Sequence, residues 1–313
     1  MTPYYQDDQV TLYHGDAFDV LPSITGPIHA LLTDPPYFKV KEDEWDNQWD
    51  KASDFLAWMG EWLDLAKPKL SANGSVWVFA SPAMTSSVER LVGERFRVLN
   101  SIRWVKDAGW HQKAQVSSLR SYLTPWEGVI LGEPYDDTAE QIRSKLNEAR
   151  AAAGMSVQSV DARWQEMRGS KGEMAGHWFG RTQWQMPTAE HYEWLRASCG
   201  IDAGPYEELR REYEELRRPF AVADRSVSTD VWTFQTVRPY PGKHPCEKPM
   251  DMLTHMIETS SRPGWTILDP FAGSGSTLVA ARNLGRKAIG VELEEKYCEI
   301  IANRLSQGVF DFA

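Results

Sequence analysis

Two short stretches of the chain hold residue types suited to chemistry. In "LLTDPPYFKV" an apolar run ends in Asp34, Pro35, Pro36 and Tyr37. A carboxylate, two residues of fixed φ and an aromatic ring stand in four consecutive positions. A rigid turn closing a strand is the plainer reading of the same four residues. In "TILDPFAGSGSTLVAARNLG" a second run ends at Asp269, with Gly273 and Gly275 before a helical pattern. Such glycines let a ligand approach the backbone, and the helix N-terminus favours an anionic group.

Nineteen residues after Gly273 another apolar run ends in Glu292, an acid placed to bind ribose hydroxyls. The dinucleotide fingerprint is incomplete, because Leu278 stands where its third glycine belongs. Asp269 would repel a pyrophosphate and attract an α-amino group. S-adenosylmethionine carries an amino group, a carboxylate and a ribose, and so suits this loop. The alternative is a tight strand–helix turn with no ligand.

These residues need strand ends to hold them. Apolar runs at 10–16, 29–34, 75–81, 98–106, 127–132, 266–269 and 288–292 read as strands. Phe55, Trp58, Met59, Trp62, Leu63 and Ala66 repeat at helical spacing over 55–70. Further helices are expected at 83–92, 275–284 and 294–305, with none between 98–106 and 127–132. Strands alternating with helices predict an α/β fold with a mostly parallel sheet covered on both faces. From 137 to 224 strand signals almost vanish. "YEELRREYEELRR" sets Tyr206, Leu209, Tyr213 and Leu216 on one seam. The expected division is 1–136, a helical insert at 137–224, and 225–313.

The 313 residues suffice for one large domain with an insert, or for two domains. The chain is 42% apolar and 25% charged, which places it among globular proteins. No run approaches the ~20 apolar residues of a membrane span, and the N-terminus lacks the pattern of a secretory signal. Cys199, Cys246 and Cys298 form no C-x-x-C pair, which argues against a disulfide framework or structural zinc, and no metal is expected. A cytoplasmic location follows. A net charge of −10 argues against a surface coated in nucleic acid, but not against a local basic cleft.

Together, "TDPPY" and "DPFAGSGST" resemble the amino-methyltransferases of DNA, which methylate adenine N6 or cytosine N4. The catalytic motif comes first and the cofactor loop last, as in the permuted β class. "LYHGDAFDVLPSI", "GKHPCEKPMDML" and "AIGVELEEKY" extend the resemblance over roughly 1–136 and 225–313. It implies a Rossmann-like, circularly permuted, doubly wound sheet, S-adenosylmethionine as cofactor and double-stranded DNA as partner, in a bacterial or phage-encoded protein. It assigns catalysis to Asp34, Pro35, Pro36 and Tyr37. Asp34 and the Pro35 carbonyl would accept both N–H groups of the target amine, and Tyr37 would stack on a base flipped from the duplex. Cofactor contacts fall on Asp16, Ala17, His244, Lys248, Asp269, Pro270, Phe271, Gly273, Ser274, Gly275, Thr277, Glu292 and Leu293. Ser274, Ser276 and Thr277 also suit helix capping. Asp in first place of the motif favours adenine over cytosine.

Basic residues near these motifs are candidate DNA contacts: Lys39, Lys41, Arg103, Lys106, His111 and Lys113. "IRSKLNEARAAAGMSVQSVDARW" resembles the first two helices of repressor-type helix-turn-helix domains. "SKGEMAGHWFGRT" then falls at the recognition helix, giving Lys171, His177 and Arg181 as further DNA contacts, and "TAEHYEWLRASCGI" at the closing helix. An insert that only packs on the catalytic domain is the alternative. Competing functions are a DNA-binding regulator with an inactive methyltransferase fold, and methylation of RNA or protein amines. A homodimer and a cognate restriction nuclease stay open as partners.

Overall fold

A computed structural model describes residues 1–40, 47–108, 115–135, 139–169, 171–222, 227–240 and 243–307. Lys41, His111 and Lys113 lie outside the described residues. The chain divides into two compact units, Met1–Tyr135 with Arg218–Ala313, and Asp136–Arg217.

In the first unit the described strands are β1 (Tyr5–Gln6), β2 (Val10–His14), β3 (Ile28–Thr33), β4 (Leu70–Ala80), β5 (Arg97–Val105), β6 (Trp126–Glu133), β7 (Val231–Trp232), β8 (Thr266–Asp269) and β9 (Lys287–Glu292). They form one sheet in the order β1-β2-β9-β8-β3-β4-β6-β5-β7. The run from β2 to β4 is parallel throughout. β6 is antiparallel to both β4 and β5. No α-helix is described between β5 and β6, and strands joined without a crossover pair as an antiparallel hairpin.

Helices α1 (Ala17–Val20), α2 (Ala52–Ala66) and α3 (Thr85–Gly93) cover one face of the sheet. α2 buries Phe55, Met59, Trp62, Leu63 and Ala66 against Leu31, Val76, Val78 and Leu268. It ends at Ala66 and passes into a 3-10 turn over Lys67–Lys69, because Pro68 has no N–H with which to continue the α-helical hydrogen bonds. β4 then starts at Leu70, ahead of the expected 75.

The second unit holds α4 (Glu140–Ala152), α5 (Val157–Arg168), α6 (Ala175–Phe179), α7 (Ala189–Cys199) and α8 (Tyr206–Leu216). Ser156 and Ser159 form a reciprocal capping box at the start of α5. Thr188 caps α7, and Gly200 ends it in left-handed backbone. Ile142, Leu146, Trp164, Trp178, Tyr192 and Leu195 are its core, and Leu209 joins them from the seam of α8. The unit ends at Arg217 rather than at 224. Arg218 pairs with Glu133 of β6 at 2.7 Å, and Ala221 N donates to Thr259 O, so this segment belongs to the sheet unit.

Helices α9 (Met250–Ser260), α10 (Ser276–Asn283) and α11 (Glu295–Ser306) cover the opposite face of the sheet. Chain order reverses between β3 and β8, with β4 beyond one and β9 beyond the other. Ligands of doubly wound sheets bind at such a reversal, outside the carboxyl ends of the strands. Asp34 follows β3, and Asp269 ends β8.

Candidate active site

One cavity opens over these strand ends. Its walls include Asp34, Pro35, Pro36 and Tyr37 after β3, Asp269 at the end of β8, Pro270, Phe271, Gly273 and Ser274 from the loop that follows, and Thr277 from the first turn of α10. Glu292 and Leu293 come from the end of β9, Asp16 and Ala17 follow β2, and His244 and Lys248 precede α9. Of the residues expected at the cofactor, Gly275 alone does not line it. Its φ is +75°, and a Cβ there would meet Ile301 Cγ1 at 2.7 Å. Gly275 therefore lets the loop turn tightly against α11. Gly273, at φ +51°, does face the cavity, and a Cβ on it would approach the His244 ring at 3.3 Å.

Asp34 is the centre of a largely buried charged cluster. Tyr37 Oη donates to Asp34 Oδ1 at 2.7 Å and lies 3.4 Å from Glu127 Oε2. Lys248 Nζ pairs with Asp34 Oδ2 and stands 3.6 Å from Glu127 Oε2. The same ammonium is 4.9 Å from the Phe79 ring centre and 5.6 Å from that of Tyr37. Lys106 Nζ closes the cluster on Glu127 Oε1 at 2.5 Å. Thus Lys248, expected at the cofactor, holds Asp34, and Lys106, expected at DNA, holds Glu127.

The burial of this cluster shifts its proton equilibria. Burial pushes the Asp34 carboxyl up; Lys248 opposes the rise and Glu127 adds to it. Burial also raises Glu127, but Lys248 and Lys106 outweigh it and hold that carboxyl below its ordinary value. For Lys248, burial disfavours the charge, yet Asp34 and Glu127 win and hold the ammonium above its ordinary range. Burial lifts the Tyr37 phenol well above its usual value, and Asp34 and Glu127 raise it further.

The cofactor side of the cavity is acidic. Asp269 accepts from Thr33 Oγ1 at 2.8 Å and from Phe271 N at 3.2 Å. Burial nevertheless pushes its carboxyl up to about 6. Glu292 accepts from Gly273 N at 2.7 Å and from Glu294 N at 2.8 Å, and burial raises it to about 7. Asp16 accepts from Phe18 N at 2.9 Å and so caps α1. His244 Nδ1 accepts from Cys246 N, and its ring meets Tyr297 edge-on at 4.5 Å. Burial, with Lys248 second, lowers His244 to about 4, so its imidazole is neutral near pH 7.

This donor set fits S-adenosylmethionine. Besides Asp34, four acids on the wall, Asp16, Asp269, Glu292 and Glu294, suit a ligand with a sulfonium, an ammonium and ribose hydroxyls. The missing Cβ of Gly273 leaves room against the backbone, and the N-terminus of α10 faces the same loop. Trp58, Tyr297 and Glu127 were not expected at the site. Trp58 reads in the sequence as core and Tyr297 as part of a structural helix. Glu127 opens the apolar run of β6 with no local mark of chemistry.

The remaining cations are more scattered. Lys39, at φ +53°, is exposed and donates to Asp50 O at 3.0 Å. Arg103 stacks over Trp126 at 4.2 Å. In the second unit the expected recognition helix is only the five residues of α6. Glycines at 172, 176 and 180 flank or interrupt it, and its Ala175, Trp178 and Phe179 are buried. Lys171 and Arg181 lie outside the helix and are exposed, whereas His177 is half-buried with Nδ1 3.1 Å from Gln183 O.

Comparison with known proteins agrees with this site. A family model described as DNA methylase matches residues 28–303. The type II methyltransferase M2.DpnII of Streptococcus pneumoniae is 27% identical over 97% of this chain and 92% of its own length. M.ScaI of Streptomyces caespitosus is 23% identical over 97% of this chain and 83% of its own. The M1.HpyAVI–SAM complex superposes with a TM-score of 0.54 at 19% identity, covering 94% of this chain and 99% of its own. The cytosine-N4-specific PvuII DNA methyltransferase superposes at 0.57 with 15% identity, covering 99% and 91%. The chain belongs to the N6/N4 DNA methylase family and is an S-adenosylmethionine-dependent DNA methyltransferase.

Proposed function

We propose that the chain methylates adenine N6 at a specific sequence in duplex DNA, acting on a base flipped out of the helix. The observation that carries this reading is the position of Asp34, half-buried at the sheet's reversal point beside Asp269 and hydrogen-bonded to Tyr37 Oη. An exocyclic amine is a poor nucleophile because its lone pair is conjugated with the ring. Asp34 and the Pro35 carbonyl accept its two N–H bonds, which draws the nitrogen toward tetrahedral geometry and turns the lone pair outward. The raised proton affinity of Asp34 makes its carboxylate a stronger acceptor for that N–H. Pro35 and Pro36 stiffen the carbonyl's direction, and Tyr37 offers its ring to the base. Bound S-adenosylmethionine supplies the electrophilic methyl group. The protein's part is to orient the amine and exclude water.

The second unit is proposed to read the target sequence. The N4 amine of cytosine would suit the same two acceptors, and Asp34 in first place of the motif is the reason adenine is preferred. Duplex DNA of mixed sequence, incubated with methyl-labelled cofactor and digested to nucleosides, decides the matter. Label in N6-methyladenine supports the reading; label in N4-methylcytosine, or in RNA or protein acceptors alone, overturns it.

A further inference from the structure

Glu127 lies outside both recognised motifs, on a strand antiparallel to the rest of the site, yet it touches every charged member of the Asp34 cluster but Asp34 itself. By strand alternation it shares a face with Val129 and Leu131, which pack in the same core as Tyr37 and Phe79. Its Oε2 lies 3.6 Å from Lys248 Nζ and 3.4 Å from Tyr37 Oη, and its Oε1 is held by Lys106. The side chains of Lys248 and Glu127 are only 7% and 13% exposed. Both oxygens of Asp34 are engaged, Oδ1 by Tyr37 and Oδ2 by Lys248. An incoming amine that needs Asp34 must therefore compete with Lys248. A buried ammonium that lost its only carboxylate would be strongly destabilised.

We propose that Glu127 is a positioning residue for methyl transfer: it gives Lys248 a second carboxylate, so that the ammonium can turn from Asp34 Oδ2 when the target amine arrives. Lys106 fixes Glu127 for this purpose, and Tyr37, bonded to Asp34, stands within reach of both acids. The proposal rests on the assignment of Asp34 to the target amine. It holds for adenine or cytosine alike.

The test compares the full-length wild type with Glu127→Gln and Glu127→Asp. In Glu127→Gln the ammonium is left with Asp34 as its one carboxylate. The expected result is a fall in kcat of about tenfold or more, with KM for DNA and Kd for the cofactor within about threefold of wild type. Glu127→Asp, which keeps the charge, should recover part of the loss. The groups facing Asp34 are Tyr37, Lys248, Glu127 and Asp269, with Cys246 acting on Tyr37 and Lys248, and only Glu127 changes. Since its charge raises Asp34, its removal should move the acid limb of the kcat profile to lower pH. Titration of the carbon-13-labelled Asp34 carboxyl by NMR should show the same downward shift without recourse to activity. An unchanged kcat in Glu127→Gln, or losses equal in Glu127→Asp and accompanied by weakened cofactor binding, would overturn the proposal. A wild type that transfers no methyl group to DNA would sink the reading of the site instead; the NMR midpoint then decides on Glu127, and an unmoved midpoint rejects its coupling to Asp34.

Discussion

Thr33 Oγ1 donates to Asp269 Oδ1 at 2.8 Å, and so ties the last residue of β3 to the last residue of β8. One residue beyond Thr33 stands Asp34. The acid assigned to the amine and the acid assigned to the cofactor are thus fixed on adjacent parallel strands whose register pairs Leu31 with Leu268. Pre-organisation of this kind is what a transfer between two bound molecules requires.

The two acids should separate in their effects. Asp34→Ala removes the acceptor of the target amine but no proposed cofactor contact. Methyl transfer should fall to background while Kd for S-adenosylmethionine stays within a few-fold, as read by calorimetry. Substantial remaining activity would remove Asp34 from the chemistry.

Asp269→Ala and Glu292→Ala should do the reverse. Each deletes a buried carboxylate facing the cofactor, and hydrogen bonds involving a charged group contribute about 1.5–3 kcal/mol. Cofactor affinity should therefore drop about ten- to a hundredfold. Glu292→Ala also strands Gly273 N and Glu294 N, so its melting temperature should fall as well. Unchanged affinity in both variants would dissociate the loop from the cofactor.

The way these sites are legible differs with how local their signals are. Asp34, Asp269, Glu292 and the strands beneath them can be read because each acid ends an apolar run, with proline directly after the first two and Glu292 nineteen residues beyond Gly273. α9 is hard to read in the sequence, although Met252, Leu253, Met256 and Ile257 bury one face of it, because its start is marked only by Pro249. Glu127 and Lys106 are brought to Lys248 by the pairing of β5 with β6, which places Trp104 opposite Glu127. Nothing within one segment announces a charge cluster built from segments about 100 residues apart. The expected recognition helix is short for the opposite reason: the glycines at 172, 176 and 180 are plain in the sequence and disfavour helix where the repressor-type spacing would place it.

Cofactor binding should depend on pH through Asp269 and Glu292. Burial raises both carboxyls, to about 6 and about 7, above their unfolded values. Between pH 4 and 7 the folded protein thus binds more protons at these groups than the unfolded chain does. Their contribution to the stability of the cofactor-free protein must then decline as pH rises through that window. A cationic ligand favours the ionised acids. Affinity for S-adenosylmethionine should rise from pH 5 to pH 7.5 and level off above, with proton release on binding near pH 6. Calorimetry in buffers of different ionisation enthalpy measures that release; proton uptake would contradict the assignment.

The second unit gives the sharpest division between recognition and packing. Lys171 and Arg181 are exposed, and the Arg181 side chain, 84% accessible, lies 3.9 Å from Glu140. His177 is instead half-buried against the Gln183 carbonyl. If the unit reads DNA, Lys171→Ala with Arg181→Ala should weaken duplex binding and leave the melting temperature and cofactor affinity alone. A lost base contact costs about 1–3 kcal/mol and relaxes the methylated motif at one position. A lost phosphate contact weakens all sequences alike and lowers the salt slope by about one. His177→Ala should chiefly lower the melting temperature, since it removes a contact inside the unit. Sequencing the methylated sites of the paired variant, with duplex binding at two salt concentrations, tells these outcomes apart. An unaltered motif, duplex affinity and salt slope would leave Lys171 and Arg181 with no part in recognition.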